Sequence, residues 1–255
     1  MNILLDYPLL VFVISFFVLW LSAVIGASVS KRWRKLEENA REDFGVILAA
    51  TLTLLGLIIG FSFSMATSRY DQRKNYEESE ANAIGTEYIR ANLLPEVNAA
   101  RVRELMGRYL DQRVVFYRTR DKQQLAQINA YTARLQTELW SAVEGPARAQ
   151  PTPVMALVVS GMNDVLNSQG YTQAAWWNRI PIAAWGLMVA IAVSCNLLIG
   201  YCARDGRAGS IRLIILPLVV SIAFFLIADI DSPRGGVIRV NPQNIISLQE
   251  SLQAH

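Results

Sequence analysis

Thr53, Leu57, Phe61, Ser64 and Ser68 recur at spacings of four, four, three and four. On a helix that rhythm places all five on one face. None is an acid, a base or a thiol, so the face is suited to handling water and hydrated ions, not to making bonds. A collar of Leu57 and Phe61 would exclude water and gate by dewetting, and an aromatic ring edge is its electropositive part. The hydroxyls of Thr53, Ser64 and Ser68 can donate hydrogen bonds above and below such a collar, and Gly60 sits beside Phe61. Leu52, Leu55, Ile59, Phe63 and Ala66 form a second face suited to packing. An ordinary bundle helix whose hydroxyls bond to the preceding turn has the same pattern, and the pattern alone leaves both readings open.

Other reactive residue types offer little. There is no nucleophile elbow, phosphate-binding loop, paired-cysteine motif or HExxH, so neither an enzyme nor a cofactor is expected. His255 is the only histidine and the last residue, which excludes a His-based zinc or haem site; no metal centre is expected. Cys195 and Cys202 lie seven apart in one apolar run, too far apart on a helix to bond, and read as small buried hydrophobes. Glu77-Glu78-Ser79-Glu80 follows Arg73 and Lys74. At that spacing on a helix a solvated, ion-paired face is expected. Basic residues alternate with acids and form no aromatic-interleaved stripe, so no nucleic-acid partner is expected.

The elements that must carry the stripe are membrane spans. Of the 255 residues, 53% are hydrophobic and 18% charged, with a mean hydropathy of +0.27; soluble domains carry about 25% charge. Charge-free runs long enough to cross a bilayer predict spans at 7–30, 44–68, 180–203 and 211–228, with short loops at 31–43 and 204–210. The fourth is short, so Arg212 is expected to snorkel. The first lacks a basic segment before it, and the Lys31–Lys35 cluster follows it instead, so it reads as a retained span, not a signal peptide. Four spans put both termini and the insert 69–179 on one side. Lys and Arg near span ends number eight in the short loops and six opposite, which leans the insert to the outside.

The insert reads as all-helical. The second span is expected to run on to about Leu94, a helix of about 50 residues or 75 Å. Tyr70, Asn82, Ala83, Tyr88 and Ile89 recur loosely along it. Helices are then predicted at Val97–Arg120, Asp121–Val143 and Val154–Ser168. The stripes Val102, Leu105, Met106, Tyr109, Leu110 and Leu125, Ile128, Tyr131, Leu135, Leu139 serve the first two. Gly145–Pro153 is the strongest predicted break. Trp176-Trp177 suits an interfacial belt, and Asn196 an interhelical hydrogen bond. The remainder, 229–255, reads as a C-terminal segment with a tail helix from Pro242 to Gln253.

The stretch Gly60-Phe61-Ser62-Phe63-Ser64-Met65-Ala66-Thr67-Ser68-Arg69-Tyr70-Asp71-Gln72-Arg73 resembles the end of the pore helix in the bestrophins, where a Gly-Phe pair precedes an Arg or Tyr at the junction with a polar segment. The span order is also similar, as is Asp229-Ile230-Asp231-Ser232-Pro233-Arg234-Gly235-Gly236 after the last span. Glu80-Ala81-Asn82-Ala83-Ile84-Gly85-Thr86 looks more closely like an uncharacterised bacterial branch labelled bestrophin-like. The resemblance implies an all-α, four-span, homopentameric channel in the bacterial inner membrane, passing small inorganic anions. It implies a neck at Thr53, Leu57 and Phe61, a vestibule at Gly60, Ser64 and Ser68, a junction at Arg69 and Tyr70, and an insert in the cytoplasm, opposite to the charge count. Only Phe61 matches the family's neck types, since Thr53 and Leu57 depart from them. Asp229 and Asp231 are a candidate cation site, yet two carboxylates are few for a calcium shell. The alternative is a non-conducting sensory or scaffold protein whose helical insert binds a partner.

Overall fold

The computed structural model describes residues 5–32, 38–203 and 207–253. Among them there is no strand, as the absence of period-two alternation predicts. Helices run over α1 (Pro8–Arg32), α2 (Glu38–Arg90), α3 (Glu96–Arg118), α4 (Lys122–Ala149), α5 (Pro153–Trp177), α6 (Ile182–Cys202), α7 (Arg207–Asp231) and α8 (Gln243–Gln253). Of the loops expected at 31–43 and 204–210, residues 33–37 and 204–206 lie outside the described residues, and 38–43 and 207–210 are already helical. Among the described residues, four helices are long and apolar enough to cross a membrane. The chain divides into one compact unit of Met1–Arg69 and Arg179–Arg239 and another of Tyr70–Asn178 and Val240–His255.

The first unit contains α1, α6, α7 and the apolar half of α2. Lipid gives apolar side chains no reason to leave it, so helices here associate through close backbone approach. Gly26 on α1 and Gly200 on α6 supply it. A Cβ on Gly200 would collide with the Ala23 carbonyl, and one on Gly26 with the Leu197 carbonyl. Phe12 meets Phe225 edge-on at 6.4 Å, and Trp185 meets Phe224 at 6.0 Å, which ties α7 to the other two. Asn196 does not reach a neighbouring helix as expected; its amide donates to the Ala192 carbonyl at 2.7 Å. A polar side chain buried in hydrocarbon takes the nearest acceptor, and its own preceding turn is nearest. Gly200→Ala is expected to push α1 and α6 apart and to destabilise the unit by about 1–3 kcal/mol, the usual penalty of overpacking. A lowered thermal midpoint of the detergent-solubilised protein would register it.

The second unit packs α3, α4, α5, α8 and the polar half of α2 around one core. Val102, Leu105, Met106, Tyr109 and Leu110 of α3 are all buried in it, beside Ile128, Leu135 and Leu139 of α4. Asp121 caps α4 by accepting from the Gln123 and Gln124 amides at 2.6 and 3.2 Å, and Thr152 caps α5 through the Met155 amide. Four expectations change here. The break predicted from Gly145 begins only at Gln150, and Pro146 lies inside α4. Near a helix end proline removes one hydrogen bond, and the next turn still closes through Gln150 N–H to the Pro146 carbonyl at 3.0 Å. The fourth insert helix passes Ser168 and Gly170 without stopping. Trp176 is buried against Phe116 and Tyr117, and only Trp177 is exposed. The C-terminal segment divides after Arg239, and α8 belongs with the insert.

Candidate functional site

The apolar half of α2 is the least covered of the spans. Its most apolar 18-residue window is 6% buried, against 28–44% for the others. Exposure is not spread evenly around it. Thr53, Leu57, Gly60, Phe61, Ser64 and Ser68 are all exposed, Leu57 by 52% and Phe61 by 65%. Leu55, Ser62 and Ala66, on the side of the predicted packing face, are buried, and Leu52 and Ile59 are half-buried. Phe63 departs from that face and is exposed. One protomer therefore uses one side of α2 for its own packing and leaves the Leu57/Phe61 side uncovered. Thr53 donates to the Ala49 carbonyl at 2.9 Å and Thr67 to the Phe63 carbonyl at 3.0 Å. The back-bonding of the ordinary bundle helix is thus present at Thr53, but on the uncovered side. A hydroxyl that donates backwards still offers oxygen lone pairs outwards.

The junction falls where the chain divides. Arg69 is the last residue of the first unit, and Tyr70, half-buried against the core of the second, is the first of the other. Arg69 lies 4.0 Å from the Asp231 carboxylate. Asp231 is buried and also accepts from the Ile180 amide at 3.1 Å and pairs with Arg179 at 3.6 Å. Arg179 in turn holds Asp6 at 2.6 Å and the Leu5 carbonyl at 3.2 Å. Asp229 accepts from the Val237 and Ile238 amides at 2.7 and 2.8 Å. The turn behind it is tight: a Cβ on Gly236 would strike the Asp229 carbonyl, and one on Gly235 the Asp6 carbonyl. In this arrangement Asp229 locks the chain reversal after α7, and Asp231 ties Arg69, Arg179 and the start of α6 together. Their oxygens face donors, which is the wrong polarity for a cation shell. No group of three or more metal-binding side chains occurs among the described residues.

Sequence reasoning missed the polar half of α2. Of Tyr70, Asn82, Ala83, Tyr88 and Ile89, only Tyr70, Ala83 and Tyr88 pack half-buried against the core, and Asn82 and Ile89 are exposed. Arg73, Glu77, Glu80, Ile84, Glu87 and Ala91 are buried instead. The solvated face expected for Glu77 and Glu80 is therefore corrected, while Glu78 and Ser79 do face water. Glu80 grips Arg113 in a bidentate pair and accepts from Tyr117 and Thr172, each at 3.0 Å. Glu77 caps the start of α8 through the Ile245 amide at 3.0 Å and Asn244 at 2.7 Å. Burial opposes the charge of Arg113, and the Glu80 carboxylate more than restores it, so its pKa stays above the ordinary value. Burial first and then Glu80 push the Tyr109 and Tyr117 phenols up. The signal was the spacing 73, 77, 80, 84, 87, 91, which is a packing stripe written in charged residues.

Comparison with known proteins agrees with this architecture. A family described as Bestrophin-like domain matches residues 13–245. Among solved structures, a bacterial bestrophin homologue from Klebsiella pneumoniae, phased on zinc, aligns with a TM-score of 0.65 at 14% identity, covering 93% of this chain and 97% of its own. A point variant of the Klebsiella pneumoniae homologue aligns at 0.66 with 13% identity, covering 95% and 98%. At such identity the likeness speaks for the fold. No match was found among curated protein sequences.

Proposed function

Because the chain belongs to the bestrophin-like family, we propose that this multi-pass membrane protein is a homo-oligomeric channel of the bacterial inner membrane, through which small inorganic anions pass passively. Five copies would surround the axis, with the apolar half of α2 from each turned inward. Thr53, Leu57 and Phe61 then form the neck, and Gly60, Ser64 and Ser68 its vestibule. The observation that carries this reading is the uncovered stripe itself. A protomer that packs Leu55 and Ala66 yet leaves Leu57 and Phe61 bare has a face in want of a partner surface. Around an axis that face makes an apolar collar, where dewetting closes the path and ring edges favour the negative ion over the positive.

Recording from purified protein in planar bilayers tests the proposal. A chloride gradient is expected to move the reversal potential toward the chloride equilibrium value. No conductance across varied voltage, pH and calcium, or a lone protomer in electron micrographs, would sink it. A tethered helical module that binds a partner would then remain.

A further inference from the structure

Glu87 lies on the buried stripe of α2 with no exposed surface, and neither carboxyl oxygen meets a hydrogen-bond donor. Its neighbours on the stripe are treated differently: Glu77 caps α8 and Glu80 grips Arg113. The seat for Glu87 is made by a missing side chain. A Cβ on Gly161 of α5 would collide with the Glu87 carboxyl and would come within 2.5 Å of Arg90 Nη1. Glycine at 161 thus lets the Glu87 carboxyl and the Arg90 guanidinium both reach the backbone of α5. The charged groups that act on Glu87 are Arg90, one turn further along α2, and Asp164, one turn along α5 from Gly161. They oppose each other. A buried carboxylate without a donor is strongly disfavoured, whereas a carboxylic acid carries no charge to desolvate.

We propose that Glu87 is a proton-binding site: seated neutral against Gly161, it leaves that seat when it ionises, and pH thereby sets the packing of α2 on α5. The inference concerns the helical unit alone and does not depend on conduction. Burial is the leading influence and raises the pKa from its ordinary 4.5 to about 8; Arg90 lowers it and Asp164 raises it. The sign follows. Below pH 4.5 the carboxyl is neutral whether the chain is folded or not. Between about 4.5 and 8 the folded chain holds one proton more, so its advantage falls up to about tenfold per pH unit, and above 8 it levels off.

Infrared difference spectroscopy of the full-length protein in lipid nanodiscs reads the proton directly. A protonated-carboxyl band is expected at pH 6, vanishing with a midpoint near 8, and Glu87→Gln should lack it. Amides of α5 around Gly161 should lose up to about tenfold of their hydrogen-exchange protection from pH 7 to 9 in the wild type, after correction for intrinsic exchange. In Glu87→Gln that loss should disappear. Should Glu87→Gln fail to fold, Asp164→Asn should lower the infrared midpoint and Arg90→Gln should raise it. Three results would overturn the assignment: no titrating band, a band that survives in Glu87→Gln, or a midpoint indifferent to both neighbours. Exchange in α5 that ignores pH over this range would overturn the coupling to packing.

Discussion

Glu80→Ala is expected to destabilise the helical unit by about 3–5 kcal/mol, because it strands the Arg113 charge in a dry core. Arg113 is wholly buried, with its guanidinium 4.2 Å from the Phe116 ring centre and 5.7 Å from that of Tyr117. Those rings soften the loss but cannot replace a bidentate carboxylate. Truncation of Glu80 also removes the acceptor of Tyr117 and Thr172. Arg113→Met should hurt by a comparable amount, since it leaves Glu80 as the uncompensated charge. The informative variant is the double one. Glu80→Leu with Arg113→Met replaces both charges by apolar groups of similar volume and is expected to recover most of the loss. Denaturant or thermal midpoints of the wild type, Glu80→Leu, Arg113→Met and the double variant measure the coupling directly. Equal, additive losses in the two single variants and the double variant would show that the pair is not the unit of stability there.

The membrane half of the molecule was legible because hydrocarbon permits few solutions. A charge-free run of 25 residues such as Phe44–Ser68 has to be helical in lipid, and the sided pattern on it foretold the burial of Leu55 and Ala66, though not the exposure of Phe63. The helical unit was only partly legible. The apolar stripes of α3 and α4 announced their buried faces, since position and residue type told the same story. On α2 the two conflicted. Arg73, Glu77, Glu80 and Glu87 occupy packing positions, and a rule that sends charges to water hides them. Their burial depends on partners far along the chain, Arg113, Thr172, Ile245 and Gly161, which local periodicity cannot supply. Pro146 failed as a helix stop for a related reason: a single breaker is a local penalty that packing of the rest of the helix outweighs. Asp229 and Asp231 looked like a site by composition alone. What they bind, the Val237, Ile238 and Ile180 amides and two arginines, became visible only with the chain reversal after α7 in place.

Leu57→Ala combined with Phe61→Ala should raise open probability at least tenfold in bilayer recordings. In the proposed channel, two successive rings of large apolar side chains would leave a narrow passage without hydrogen-bonding partners, from which water withdraws. An ion then crosses a gap in its hydration, and that desolvation dominates the barrier. Shortening both side chains widens the gap and rewets it. A barrier lower by about 1.4 kcal/mol already gives tenfold in rate, and emptying both rings should exceed that. Anion preference should weaken together with the barrier, because the Phe61 ring edges are lost. Ile59→Ala is the matched control: it lies on the half-buried packing side of the same helix, so it should lower stability and leave conduction unchanged. If the double variant conducts like the wild type while Ile59→Ala alters the current, the passage runs along the other side of α2. The uncovered stripe would then belong to a lipid-facing or subunit-facing surface.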